Sequence, residues 1–199
     1  MKKLNVLVAC EESQTVTRAF REKGHNAFSC DIQETSGKNP EWHICDDVTK
    51  HLNGWDMIIA FPPCTDLSNA QAGKIMIKKI KEGKSQRALD FIKLIWDSCD
   101  KVSIENPVSS YLNNNWIPYT QIIQPYFFGH DYKKQTCLWL KNLPPLISTL
   151  YNKPKYRLVQ TFKHHHKLPA LKIKNSKEAS KIRSKFHSGV ADAMVNQWT

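Results

Sequence analysis

Within its first 31 residues the chain writes out a complete β-turn-α-turn-β unit, and that unit restricts the folds open to it. Residues 4–9 (Leu-Asn-Val-Leu-Val-Ala) are the short apolar run of a buried strand. Glu11, Glu12 and Ser13 follow as a turn, residues 15–23 read as a helix, and Gly24 stands where a C′ residue ends one. Residues 27–30 form a second strand that closes on Asp31. A strand, a crossover helix and a second strand predict parallel pairing. They open a doubly wound sheet, which binds ligands at the carboxyl ends of its strands.

The rest of the chain continues the pattern. Residues 42–48 form a short third element with Asp46-Asp47 at its end. Residues 56–61 are a core strand, broken by Pro62-Pro63. Residues 65–84 are polar and Lys-rich and read as a mobile loop. Apolar residues at 88, 89, 91, 92, 95 and 96 give residues 85–96 a helical stripe. Residues 101–104 are another strand, ending in Glu105-Asn106-Pro107. Residues 121–128 and 136–140 read as paired strands around Gly129, and residues 190–198 as a short final helix. Trp55, Trp96 and Trp139 read as core. No repeat and no linker interrupts the 199 residues, which suit one domain spanning 1–199. The expected fold is α/β and Rossmann-like, a doubly wound, mostly parallel sheet, with an irregular basic segment at 141–185.

Charge is unevenly spread. The net charge of +11 divides into −2 over residues 1–62, +2 over 63–110 and +11 over 111–199. A polyanion facing the last third is the natural partner. The six cysteines include no C-x-x-C pair and read as reduced thiols, which points to the cytoplasm. No apolar run approaches the ~20 residues of a membrane span. His164, His165 and His166 are adjacent and cannot readily converge on one ion, so no metal is expected.

Three features fall at strand ends: Cys10-Glu11-Glu12-Ser13, Phe61-Pro62-Pro63-Cys64-Thr65, and Ile104-Glu105-Asn106-Pro107. Two prolines fix two φ angles, so the Cys64 thiol is aimed in advance. A thiol so held, with a carboxylate ending the next strand, is a nucleophile with a proton-handling partner.

Pro62-Pro63-Cys64, with Glu105-Asn106 beginning 41 residues after Cys64, resembles the catalytic pair of cytosine-C5 DNA methyltransferases, in a compact, divergent form of the phage and prophage type. The resemblance covers most of the chain in order. Residues 6–13 lie where that family's first cofactor loop falls, which implies contacts from Ala9, Cys10, Glu11 and Ser13. Asp31, with Ile32 beside it, matches an acid that holds the cofactor ribose, and Asp47, with Val48, one at the adenine. Phe61, Pro62 and Ser188 complete the implied cofactor set, with Trp42 or Trp198 as candidates to stack on the adenine. Pro63, Thr65, Ser68, Asn69, Lys133, Lys134 and Thr136 are the implied substrate contacts. The sequence departs from the family where Glu11 and Glu12 replace glycines, where Thr136 fills an arginine position, and where Ser188-Gly189 replaces Gly-Asn.

The resemblance implies transfer of a methyl group from S-adenosylmethionine to C5 of cytosine, with Cys64 adding to C6, Glu105 contacting N3 and the exocyclic amine, and Asn106 holding the Cys64 loop. DNA is the implied substrate. The region between Leu146 and Arg183 is about 38 residues, short for target recognition. A cytidine nucleotide, RNA, or a protein partner that supplies sequence choice therefore stay open. So does a chain that kept the fold and only binds nucleic acid or nucleotide.

Overall fold

The computed structural model of the protein describes residues 2–68, 73–157 and 186–199. The opening unit is strand β1 (Asn5–Ala9), helix α1 (Thr15–Glu22) and strand β2 (Asn26–Asp31), with β1 and β2 parallel. Gly24, at φ 87°, ends α1 by donating to the Arg21 carbonyl at 2.9 Å. Strands β3 (His43–Cys45), β4 (Met57–Ala60) and β5 (Val102–Pro107) extend the parallel array. Helices α2 (Gly73–Lys81), α3 (Lys84–Asp97) and α4 (Leu112–Asn115) lie around β5 in sequence. Then come β6 (Gln121–Ile123), β7 (Tyr132–Lys133), β8 (Thr136–Lys141), β9 (Tyr156–Arg157) and α5 (Ser188–Trp198).

Seven strands form one sheet in the order β3-β2-β1-β4-β5-β8-β6, with β8 antiparallel to both its neighbours. This is the doubly wound, mostly parallel sheet expected from the sequence. Side chains alternate across it. Val6, Val8, Met57 and Ile59 face α1 and α5, where Phe20, Val190 and Met194 cover them. Leu7, Ala9, Ile58 and Ala60 face the opposite side, where Leu89, Ile92 and Ile95 of α3 pack with Leu67, Leu112 and Trp139. Central parallel strands covered on both faces need apolar residues at every position, which is why these runs do not alternate with polar residues.

Several expectations require correction. The segment 65–84, read as a loop, contains α2, and α3 begins at its end. Its lysines are good helix formers, and Lys78 pairs with Glu82 one turn on at 3.7 Å. Strand β5 does not stop at Ile104. It runs on because β8 pairs Glu105 with Leu138, Asn106 with Cys137 and Pro107 with Thr136. The strand expected over 121–128 ends at Ile123, and Pro125 starts a 3-10 turn. Only residues 43–45 of the element expected at 42–48 are strand, between two 3-10 turns. Within the basic segment, Tyr156 and Arg157 of β9 pair in parallel with Tyr132 and Lys133 of β7. Its three histidines lie outside the described residues.

Trp139 is fully buried, with Trp55 and Trp96 packed against the same core. Trp198 is also core, its Nε1 donating to the Pro144 carbonyl at 2.9 Å, so it offers no face for stacking. The Trp42 ring carries the Arg21 guanidinium at 5.2 Å. All six cysteines are free. Among the described residues no helix is long and apolar enough to cross a membrane.

Candidate active site at the carboxyl edge of the sheet

Strand β4 ends at Ala60 and the chain cannot continue as strand through Pro62-Pro63. It turns instead, and the Cys64 carbonyl accepts from the N–H groups of Leu67 at 3.1 Å and Ser68 at 2.8 Å. The end of β5 fastens this turn. Buried Asn106 donates through Nδ2 to the Pro62 carbonyl at 3.4 Å, and Ser110 Oγ donates to Asn106 Oδ1 at 3.1 Å. Tyr111 N–H adds a bond to the Leu67 carbonyl at 2.6 Å, and Ser68 forms a bridge with Ser110. The half-buried Cys64 is therefore held from two strands.

Its surroundings set its protonation. Burial pushes the Cys64 thiol up, and the Glu105 carboxylate pushes it further, while a hydrogen bond from the Cys64 backbone N–H and then the Lys134 and Lys79 ammonium groups oppose them. The structure thus brings Cys64, Glu105 and Lys134 together. Thr136, almost fully buried at the start of β8, reaches Glu105 Oε1 with its hydroxyl and lies 3.0 Å from the Asn106 carbonyl. Lys79 went unrecognised in the sequence because its segment carries no motif. Its Nζ donates to the Thr65 carbonyl and pairs with Asp66 at 3.2 Å.

Beside this turn lies a cavity of about 610 Å³, at the carboxyl ends of β1, β2 and β4 and walled by α3. Such a volume is ordinary for a small-molecule site. Cys10, Asp31, Ile32, Asp47, Val48, Pro63 and Thr65 line it, all named from the sequence. Lys84, Arg87, Ala88 and Phe91 of α3 line it too and were missed, since nothing in the sequence says which helix faces the cleft. Cys10 leaves β1 in the left-handed region, at φ 58°, and donates to the Cys30 carbonyl at 2.7 Å. Burial first, then Asp31, Cys30 and Asp47, push its thiol up to about 12, so it is a neutral wall. Asp31 Oδ1 accepts from the Gln33 N–H at 2.9 Å. The N–H and hydroxyl of Thr49 hold the Asp47 carboxyl below its ordinary value.

Other named residues lie elsewhere. Ala9 is buried within the sheet between Cys30 and Ala60. Glu11, 4% exposed, caps α1, accepting from Val16 N–H at 2.7 Å, Thr17 N–H at 3.1 Å and Thr17 Oγ1 at 2.7 Å. Burial pushes its carboxyl up against the pull of those donors. Ser13 Oγ meets Thr15 Oγ1 at 3.1 Å. Phe61 packs on Phe186 with ring centroids 4.5 Å apart. Lys133 Nζ lies 5.7 Å from the Tyr126 ring centroid. Asn69 lies outside the described residues.

Ser188 opens α5, next to a cluster the sequence did not reveal. Gly189 is required there, because a Cβ would stand 1.9 Å from the Phe128 carbonyl oxygen. Its N–H donates to His130 Nε2 at 3.2 Å. His187, 4% exposed, is bonded through Nδ1 to the Tyr132 hydroxyl at 2.8 Å. Burial, then the charges of Lys134 and His130, depress it to about 2. Lys134 therefore acts on both His187 and Cys64.

No family model matches the chain, and no curated protein does. Among solved structures, the Entamoeba histolytica methyltransferase EhMeth is similar over 76% of this chain and 58% of its own, at 15% identity and a TM-score of 0.47. WbdD bound to the kinase inhibitor LY294002 is similar at 13% identity over 92% of this chain and 48% of its own, with a TM-score of 0.42. A second structure of WbdD, a bifunctional kinase-methyltransferase, gives 14%, 82%, 38% and 0.39 for the same measures. The chain spans between 38% and 58% of the length of these chains.

Proposed function

We propose that this chain is an S-adenosylmethionine-dependent methyltransferase that acts on C5 of cytosine in DNA, with Cys64 as its nucleophile. One observation carries this: Cys64 sits on a double-proline turn pinned by Asn106, within the fields of Glu105 and Lys134, beside a cavity rimmed by carboxylates. The cavity fits a nucleoside. Asp31 and Asp47 offer acceptors to hydroxyl and amine groups, and Val48, Ala88 and Phe91 offer apolar walls.

S-adenosylmethionine, when bound, supplies an electrophilic methyl group. The work of the chain is to make C5 nucleophilic. Cys64 Sγ, as thiolate, gives its electron pair to C6 and forms the Sγ–C6 bond. Glu105 holds a proton at N3 and faces the exocyclic amine while charge builds on the ring, help typically worth ~10²–10⁴ in rate. Lys134 favours the thiolate, and Thr136, which fills an arginine position of the family pattern, orients the Glu105 carboxyl. Once C5 carries the methyl group, its proton passes to water, the C5–H pair forms the C5=C6 bond, the Sγ–C6 bond breaks to return the thiolate, and the N3 proton goes back to Glu105. A cytosine inside a duplex has to be extruded for this chemistry or presented single-stranded. The excess positive charge over residues 111–199 supports a polymeric substrate.

Transfer of labelled methyl from S-adenosylmethionine to mixed-sequence DNA, RNA and cytidine triphosphate tests the proposal. We expect label on DNA, lost in Cys64→Ala, and DNA binding that weakens steeply between ~50 and 200 mM salt. Transfer unchanged in Cys64→Ala removes the mechanism. Label confined to RNA or the nucleotide removes the substrate, and donor binding without any transfer removes the activity.

A further inference from the structure

We propose that Lys79 is a positioning residue of the Cys64 site, its ammonium locked over the turn that follows the thiol so that, with Lys134, it stabilises the thiolate. This rests on Cys64 being the nucleophile.

Lys79 belongs to α2, which starts beyond the Cys64 turn and folds back against it. Its side chain is only 13% exposed, unusual for lysine on a nine-residue helix. Two contacts fix its Nζ, one to the Thr65 carbonyl and one to the Asp66 carboxylate at 3.2 Å. Both partners follow Cys64 directly in the chain. Asp66 is itself held, because Ser85 Oγ of α3 donates to its carbonyl at 2.7 Å. Met76, buried three residues before Lys79, fastens the same face of α2. The ammonium is thus placed by packing, by two polar contacts and by the α2–α3 pair, and is not a freely swinging surface charge. Such placement matters because burial and Glu105 both disfavour the thiolate, and Lys134 and Lys79 are the cations that counter them. A plain surface lysine would contribute little through solvent. A held one acts through the less polarisable interior.

The test reads the thiol itself and needs neither methyl donor nor nucleic acid. The rate of iodoacetamide alkylation at Cys64 is followed against pH, with the modified peptide identified by mass spectrometry. Lys79→Gln should slow alkylation about threefold at fixed pH, because it removes a cation that favours the thiolate. Asp66 already draws on the Lys79 charge, so the effect falls below that of an unpaired cation in direct contact. Lys79→Arg should restore the wild-type profile, and Lys79→Met, which keeps an apolar stem, should behave as Gln does. An unmoved profile in a folded Gln or Met variant overturns the proposal, as does failure of Arg to restore it. If the Lys79 effect is present but DNA is never methylated, the methyl-transfer proposal falls, and only the effect of Lys79 on the thiol stands.

Discussion

Asn106 and Pro62, 44 residues apart in sequence, are joined by a buried hydrogen bond from Asn106 Nδ2 to the Pro62 carbonyl at 3.4 Å. The bond ties the end of β5 to the turn that carries Cys64. Asn106→Ala removes it and takes the acceptor from Ser110 Oγ. Urea denaturation should show a loss of about 1–3 kcal/mol. Methyl transfer should fall while donor binding, which the proposed function assigns to the neighbouring cavity, stays near wild type. An unchanged transfer rate would detach the bond from the aim of the thiol.

Glu105→Gln separates two effects of one carboxylate. Its charge pushes the Cys64 thiol up, so its removal should raise the thiolate fraction and speed alkylation of Cys64 roughly 3–10-fold at fixed pH. Methyl transfer should fall by ~10²–10⁴ because the proton-handling group is gone. Opposite movement of the two rates is the expected signature. A fall in both would mark Glu105 as structural.

His187 makes stability depend on pH in a stated direction. The folded chain holds it neutral, depressed to about 2, whereas an unfolded histidine titrates near 6.5. Below ~6.5 the unfolded state binds the extra proton, so stability falls with pH down to the folded value. Between pH 6.5 and 5 this amounts to about 2 kcal/mol. His25 and His130 are depressed in the same direction, so the wild-type slope is shared. His187→Gln should flatten it by about the stated amount, read from denaturation at several pH values.

Gly189→Ala should be more costly than its small size suggests. The added carbon meets the Phe128 backbone oxygen, which cannot swing aside as a side chain would. A loss of about 2 kcal/mol is expected, roughly 4–8 °C in Tm for a chain of this length. Gly24→Ala has open space around the new carbon and strains only its left-handed backbone, so it should cost about half as much. Thermal unfolding of the pair checks the order.

What the sequence disclosed followed physical rules that act locally. Apolar runs at residues 4–9 and 56–61 announced β1 and β4, and Pro62-Pro63 announced the turn at Cys64. Asp31 and Asp47 were implied by the family resemblance, and they meet at one cavity at the edge where doubly wound sheets bind ligands. Glu105 to Pro107 were misplaced beyond β5, because only pairing with β8 makes them strand. Helix α2 was hidden by its lysines, which look alike whether solvated or locked as Lys79 is. Glu11 and Phe61 were assigned to cofactor contact by position. Glu11 instead caps α1, the other reading open to an acid just before a helix, while Phe61 packs on Phe186, a partner that only the folded chain reveals.

The reverse direction of β8 governs when the reactive rim can exist. Its first residue, Thr136, meets Glu105, while its last, Lys141, bonds to the Trp96 carbonyl at the far side of the sheet. The chain must then travel back before α5 sets His187 within reach of the Lys134 charge. A nascent chain that has emerged only as far as β5 would own the thiol and its carboxylate but neither Thr136, Lys134 nor the helix that seals one sheet face. Synthesis therefore sets the thiol and its carboxylate in place before the groups of β8 that surround them, and the rim closes only after the strand that runs against the others has been made.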